Sequence, residues 1–364
     1  MLKLFKYIVY KIVPSPIYLI HFVTSRCNAN CPHCFISINQ NNKINNDLTL
    51  EEIEKITQSF SSDIFNVNLT GGEPFLRDDL TQIVKLYRKN AEVKSFLIAT
   101  NGFFVERIIE AIKTILYENK DIKLTISLSL DHIGDKHDKL RGLKGLYNRV
   151  IALYKQLSVL DTKRLSVQTN LTIQQDNHED VKYIFDHLIF VEKIRNFNVT
   201  LIRGDSKNKM SSAINYDNYF KINRLINKYL ALGYMSGFEN SYLPLLNAKN
   251  QISRRLIEKT VKNKKFISTC FSGSLIGILY PNGDVYPCEL SKEKIGNIRD
   301  FNYNFKSLWT CNKARDIRKK IIMDKCFCTH ECNWTINILF NPRYLLELIT
   351  RFIIINFKKV KNNF

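Results

Sequence analysis

Cys27, Cys31 and Cys34 stand at C-x-x-x-C-x-x-C spacing in "SRCNANCPHCF", and Cys326, Cys328 and Cys332 crowd together near the other end of the chain. Two further stretches carry residues able to shape a ligand site: "TGGEPFLR", Thr70 to Arg77, and "SLSLDHIGDKHDKLRG", Ser127 to Gly142. The nine cysteines are an odd number, and a disulfide scaffold would be shorter and more evenly stapled. Their grouping points instead to metal ligation in a reducing, cytoplasmic setting. A structural zinc site takes four protein ligands, usually as two C-x-x-C pairs, and the first trio supplies three. Thiolates also hold iron–sulfur clusters. Three of them around a four-iron cubane leave one iron open, which a catalytic centre needs and a structural one avoids.

The elements that must position these residues alternate. Short β-rich runs, "YLIHFVT", "IFNVNLT", "KSFLIAT", "IKLTISLSLD", "RLSVQTNLTI" and "NFNVTLI", predict six strands between Tyr18 and Ile202. Helical patterns lie between them at Thr49 to Phe60, Leu80 to Asn90, Phe103 to Tyr117 and Leu143 to Leu160, with Thr49, Asp79 and Asn101 placed as N-caps. Such alternation implies a parallel sheet with right-handed crossovers. The cysteines, "TGGEP", "TNG" and "SLSLD" each follow a strand, so they converge on the mouth where α/β folds bind ligands. After Asp205 the rhythm stops. Helices are expected from about Tyr216 to Leu232 and Leu243 to Val261, then a hairpin in "SLIGILYPNGDVYPC" turning at Pro281, Asn282 and Gly283. The Asn-rich patch at 39–46 reads as a loop.

The first trio and its placement resemble the radical SAM family. That resemblance implies a partial (β/α)6 barrel in which Cys27, Cys31 and Cys34 hold a 4Fe-4S cluster whose open iron takes S-adenosylmethionine (SAM). It gives Gly71, Gly72, Glu73 and Pro74 the methionine end of SAM, and makes Ser129 and Arg141 candidates for its carboxylate and ribose. Asp131 and His137 are open to direct catalytic involvement or, equally, to being a helix cap and a surface contact, and His132 stands where the subfamily usually has glycine. No catalytic acid or base is identifiable. The second half resembles the SPASM/twitch extension of the same family: Cys270, Gly283 and Cys288 fit its hairpin, and Cys326, Cys328 and Cys332 close the site. Five thiolates suffice for one auxiliary 4Fe-4S cluster. Which of the last trio complete it stays open, as does zinc at this group. Cys311 reads as an ordinary thiol in a helix running to Ile321.

The expected organisation is an α/β barrel core at 18–210 after an N-terminal extension at 1–17, a helical connector at 211–265, a small α+β auxiliary cluster domain at 266–335, and a basic amphipathic helix at 336–364. The basic, apolar start is interrupted by Lys11, Pro14 and Pro16 and is not a signal peptide. No transmembrane helix is expected. In the tail, Leu345, Leu348, Phe352 and Ile355 fall at helical spacing, which suits packing on the barrel or peripheral contact with anionic lipid at the inner membrane face. The net charge of +20 favours an anionic partner, or reflects a Lys/Asn/Ile-rich composition; nucleic acid is not expected. The reading is an enzyme that cleaves SAM reductively and abstracts hydrogen from a substrate, reduced by a ferredoxin or flavodoxin. With 26 residues before Cys27, leader recognition would need another chain, tilting the substrate toward a small molecule, sugar or lipid-linked compound, with peptide maturation as the alternative. A non-catalytic iron–sulfur or zinc protein is the rival of another class.

Overall fold

A computed structural model describes residues 14–36, 46–60, 64–160, 163–204, 206–212, 215–235 and 243–361. The first thirteen residues and most of the Asn-rich patch lie outside these. β1 (Tyr18–Thr24) is a buried apolar run, as a central parallel strand must be. α1 (Leu50–Gln58) starts at Thr49, whose hydroxyl accepts from the Glu52 N–H while the Glu52 carboxylate accepts from the Thr49 N–H. β2 (Asn66–Gly71) runs into a 3-10 turn at Pro74–Leu76, followed by α2 (Leu80–Ala91), β3 (Ser95–Thr100), α3 (Val105–Glu118), β4 (Lys123–Ser129), α4 (Gly134–Arg141), α5 (Leu146–Ser158), β5 (Leu165–Ile173), α6 (Val181–Asp186) and β6 (Phe197–Leu201).

Of the three expected caps, Thr49 behaves as one. Asp79 sits at the start of α2 but pairs with Arg77. Asn101 starts no helix: its side chain accepts from the Phe103 N–H and donates to Asn28, which tightens the turn and delays α3 to Val105.

The chain continues through α7 (Tyr216–Ala231), α8 (Leu243–Asn263), β7 (Ile276–Leu279), β8 (Asp284–Tyr286), β9 (Gly296–Asn297), α9 (Phe305–Thr310), α10 (Asn312–Met323), α11 (Glu331–Phe340) and α12 (Pro342–Lys361). Among the described residues, nine strands form one sheet in the order β6-β5-β4-β3-β2-β1-β7-β8-β9. β1 to β6 pair in parallel, and the sheet is not closed. β7 runs parallel to β1, so the late hairpin extends the barrel sheet directly.

The main core lies between the sheet and helices α1 to α6, with Leu19, Val67, Ile98 and Ile126 facing Ile53, Ile83, Ile112 and Val150. A second cluster joins Ile20 and Phe22 of β1 to Ile276 and Ile278 of β7 and to Ile336 of α11. Glu52 of α1 also accepts from Arg299 (2.7 Å) and from the Tyr303 hydroxyl (2.9 Å), which stitches the first crossover to the segment after β9.

The tail breaks at Asn341–Pro342 because proline has no N–H to continue α11. In α12, Tyr344 and Leu348 are buried, Leu345 and Phe352 are half-buried, and Arg255 of α8 pairs with Glu347. Ile355 lies beyond the residues whose side chains are described. Leu346, Ile349 and Ile353 face outward. Among the described residues no helix is long and apolar enough to cross a membrane.

Candidate functional site

Cys27, Cys31 and Cys34 lie on the loop leaving β1, pinned from both sides. The Asn30 N–H donates to the Arg141 carbonyl, while the Lys207 and Asn208 N–H groups donate to the carbonyls of Cys34 and Pro32. Cys27 stands open at the rim, yet crowding around its sulfur pushes the thiol up to about 12, and burial also raises Cys31. The Arg141 guanidinium lies 3.8 Å from the Cys31 sulfur through Nη1 and opposes that rise.

The "TGGEP" turn locks onto the start of this loop. The Gly72 N–H donates to Thr24 O and the Glu73 N–H to Arg26 O, both at 2.8 Å. A Cβ on Gly72 would sit 2.0 Å from Arg26 O and 3.0 Å from the Cys27 Cβ; one on Gly71, at φ +146°, would sit 2.5 Å from Thr24 O. The glycines therefore let β2 approach the cysteine loop. Glu73 is buried and its carboxylate accepts from Thr100 Oγ1, the Asn101 N–H and the Phe75 N–H. Burial outweighs these bonds and pushes Glu73 up to about 7. Pro74 opens the turn beside it.

Asp131 and His137 are neither a helix cap nor a surface contact. Both are fully buried under the cysteine loop because β4 ends inside the mouth. Asp131 accepts from the Thr172 N–H at 3.0 Å and meets Arg141 at 2.6 Å and His33 at 3.5 Å, while its own N–H donates to His137. Burial pushes the Asp131 carboxyl up, but Arg141, His33, His137 and the Thr172 N–H together outweigh this and hold it below the ordinary range. Burial pushes His33 and His137 down to about 4. His132, the departure from the subfamily pattern, is buried and reaches Asp180 at the start of α6 (2.9 Å). Ser129 ends β4, half-buried beside this cluster.

The second group gathers around the hairpin. Burial pushes the Cys288 thiol up, and the charges of Cys270, Cys328 and Cys326 push it further. Burial drives Cys328 to about 12, with Cys270 and Cys326 adding to the rise. Cys332 interacts with a different set: burial raises its thiol, but His330 and Arg203 outweigh that and leave it below its ordinary value. Cys311 caps α10, its sulfur accepting from the Ala314 N–H.

Between the two groups lies a buried ion cluster that sequence reading missed. Glu289 follows Cys288 and accepts from Arg203 Nε (2.8 Å) and His330 Nε2 (2.5 Å). Burial opposes the charge on Glu289, but these two partners hold its carboxyl down at about 2. Arg203, just past β6, also stacks over Phe35, next to Cys34, at 5.5 Å. A cavity of about 220 Å³ opens here, lined by Leu201, Arg203, Gly204, Tyr216, Leu290 and Thr329. The signal available in the sequence was an acid beside Cys288 and a histidine between Cys328 and Cys332.

Residues 22–188 match the model of the radical SAM superfamily, and residues 270–333 match that of the iron–sulfur cluster-binding SPASM domain. The chain carries a radical SAM domain. It carries a SPASM-type extension, and the two domains imply 4Fe-4S clusters and SAM as cofactors. Among curated relatives, Fe-coproporphyrin III synthase of Methanosarcina barkeri is 31% identical over 47% of this chain and 40% of its own length. GTP 3',8-cyclase of Klebsiella pneumoniae is 34% identical over 26% of this chain and 29% of its own. The chain thus spans less than half the length of either. Among solved structures, SuiB of Streptococcus suis bound to S-adenosylmethionine superposes with TM-score 0.60 at 18% identity, covering 86% of this chain and 70% of that one. anSMEcpe with bound AdoMet gives 0.59 at 19%, covering 95% and 99%. Identities this low speak to the fold alone.

The residues of this radical SAM chain suit those cofactors. Cys27, Cys31 and Cys34 on one loop, and Cys270, Cys288, Cys326 and Cys328 in the late part of the chain, are reduced thiols, the donor type that iron–sulfur clusters take. Around the first loop, Asn28 Nδ2, His33 Nδ1 and Arg141 Nε are buried without hydrogen-bond partners, as polar groups awaiting a polar ligand would be. Cys270, Cys288, Cys326 and Cys328 together equal the four thiolates of a fully ligated cluster.

Proposed function

We propose that this chain is an oxidising enzyme with a hydrogen-abstracting site at the barrel mouth and an electron-accepting site in the SPASM extension. When bound, SAM and its cluster supply a carbon-centred radical, and the auxiliary cluster supplies an electron acceptor. Cys27, Cys31 and Cys34 would hold the first cluster, and Gly71 to Pro74, Ser129 and Arg141 would frame SAM. Cys270, Cys288, Cys326 and Cys328 would hold the second cluster, with Cys332 left to the His330 and Arg203 environment. Domain limits at 18–210 and 266–335 are proposed with this assignment.

The observation that carries the reading is Glu289, a buried carboxylate that follows Cys288 and accepts from Arg203 and His330 at the edge of the cavity. Removing a hydrogen atom and then an electron from a substrate carbon leaves a proton to be taken up, and Glu289 lies beside the cavity that would admit the substrate. Its test compares product formation with SAM cleavage in Glu289→Gln.

The substrate class is proposed as a small molecule or a peptide. A small molecule agrees with the size of the cavity and with the small products named for the curated relatives. Peptide maturation is the second reading, favoured by the fold neighbours: SuiB was solved with its precursor peptide SuiA and anSMEcpe with the Cp18Cys peptide. Peripheral contact with anionic lipid is proposed for the outer face of α12, through Leu346, Ile349 and Ile353. Leu346→Ser/Ile349→Ser should then reduce co-sedimentation with anionic vesicles.

A further inference from the structure

Between Asn312 and Phe327 the sequence carries six Lys or Arg against Asp316 and Asp324. α10 sorts them. Arg318 turns inward to donate to the Gly273 and Trp309 carbonyls, and Lys320 pairs with Glu293, whereas Lys313, Lys319 and Lys325 are exposed. At the end of the helix three large apolar side chains stand in solvent, Ile322 at 61%, Met323 at 77% and Phe327 at 47% exposure. Beside Phe327 the Cys326 thiol is exposed too, although it belongs to the group that includes Cys270 and Cys328. The face thus has an apolar centre, a mostly cationic rim and the exposed Cys326 thiol at its edge.

We propose that this face docks an acidic protein that carries one electron at a time. An apolar centre ringed by charge is the anatomy of a protein interface, and the cationic rim steers an acidic partner onto it. The carrier belongs here because Cys326 brings the thiol group to the surface at the docking point; each encounter would pass one electron out, the site held by these thiols being oxidised and the carrier reduced. Two features favour a protein over a lipid surface or nucleic acid. Asp316 and Asp324 interrupt the basic field, and a membrane has no use for an exposed thiolate ligand.

The proposal rests on the enzyme reading above for its purpose, but its test does not depend on turnover. The anaerobically reconstituted full chain is titrated calorimetrically with an acidic flavodoxin, alongside Lys313→Glu/Lys319→Glu and Ile322→Ser/Met323→Ser. The wild type should bind with an affinity that falls as salt rises, and each double variant should bind about tenfold more weakly, while all three cleave SAM equally with dithionite as reductant. Flavodoxin binding that is absent in the wild type, or equal in all three proteins, overturns the proposal. So does a charge-reversal variant that loses only anionic vesicles or single-stranded DNA. Failure of the wild type to cleave SAM with dithionite would count against the enzyme reading, leaving the titration to judge the docking face.

Discussion

Arg141 Nη2 lies 2.6 Å from Asp131 Oδ2, and the same guanidinium reaches toward the Cys31 sulfur through Nη1. One side chain at the end of α4 thereby ties the end of β4 to the cysteine loop.

Both charges of this pair are buried, so removing one strands the other. Asp131→Asn should lower unfolding free energy by about 3–5 kcal/mol, measured by urea denaturation. Asp131→Asn/Arg141→Met should recover part of that loss because no unpaired charge remains. Equal losses in both variants would mean that the pair is not what holds the loop.

Gly72→Ala places a methyl 2.0 Å from a backbone carbonyl that cannot step aside. It should destabilise by about 1–3 kcal/mol and cut the iron bound on reconstitution. Gly134→Ala, whose Cβ meets nothing within 4 Å, should pay only for its positive φ and leave iron content unchanged. Thermal melts and iron assays on both variants check this.

The six barrel strands and the mouth they build were legible because each strand is a distinct apolar run and the first four are followed by a polar motif. "YLIHFVT" occupies β1, and "RLSVQTNLTI" occupies β5 with its first residue trimmed. The pairing of β7 with β1 was not legible, since Tyr18 and Ile276 meet across more than 250 residues and no local pattern encodes that register. The Arg203–Glu289–His330 cluster was hidden for the same reason. Its members share no spacing, and only the folded sheet brings the end of β6 beside Cys288. For Asp131 and His137 the cap and surface readings stayed open in the sequence because a polar pair after a strand looks like a cap unless the depth of the mouth is known; their burial removes those two readings.

Glu52 links acid stability to the late part of the sheet. Its hydrogen bonds, that from Arg299 foremost, hold the carboxyl down at about 2, below the ordinary value of roughly 4.3. A lowered folded-state pKa stabilises above the ordinary value, and the contribution is lost as pH falls from about 4.3 toward about 2. Glu52→Gln should therefore melt about 1–3 °C below wild type at pH 7, and the two curves should converge near pH 2. A difference that does not change with pH would show that the loss comes from packing and not from charge.

Glu289→Gln removes the proposed proton acceptor while keeping its shape. Turnover of an identified substrate should fall about 10²–10⁴-fold, while substrate-free cleavage of SAM to 5'-deoxyadenosine continues near the wild-type rate. Parallel loss of both activities would assign Glu289 a structural role only.

The central claim, that the first trio serves SAM chemistry and the second group holds a separate cluster, meets its most direct test in one preparation. The wild type and a Cys27→Ala/Cys31→Ala/Cys34→Ala variant are reconstituted anaerobically, reduced with dithionite and given SAM, with 5'-deoxyadenosine, EPR and iron measured together. The wild type should form 5'-deoxyadenosine and change its EPR signal on adding SAM, and the variant should do neither while retaining roughly four irons. A fully loaded, reduced wild type that forms no 5'-deoxyadenosine and whose EPR signal ignores SAM would contradict the account.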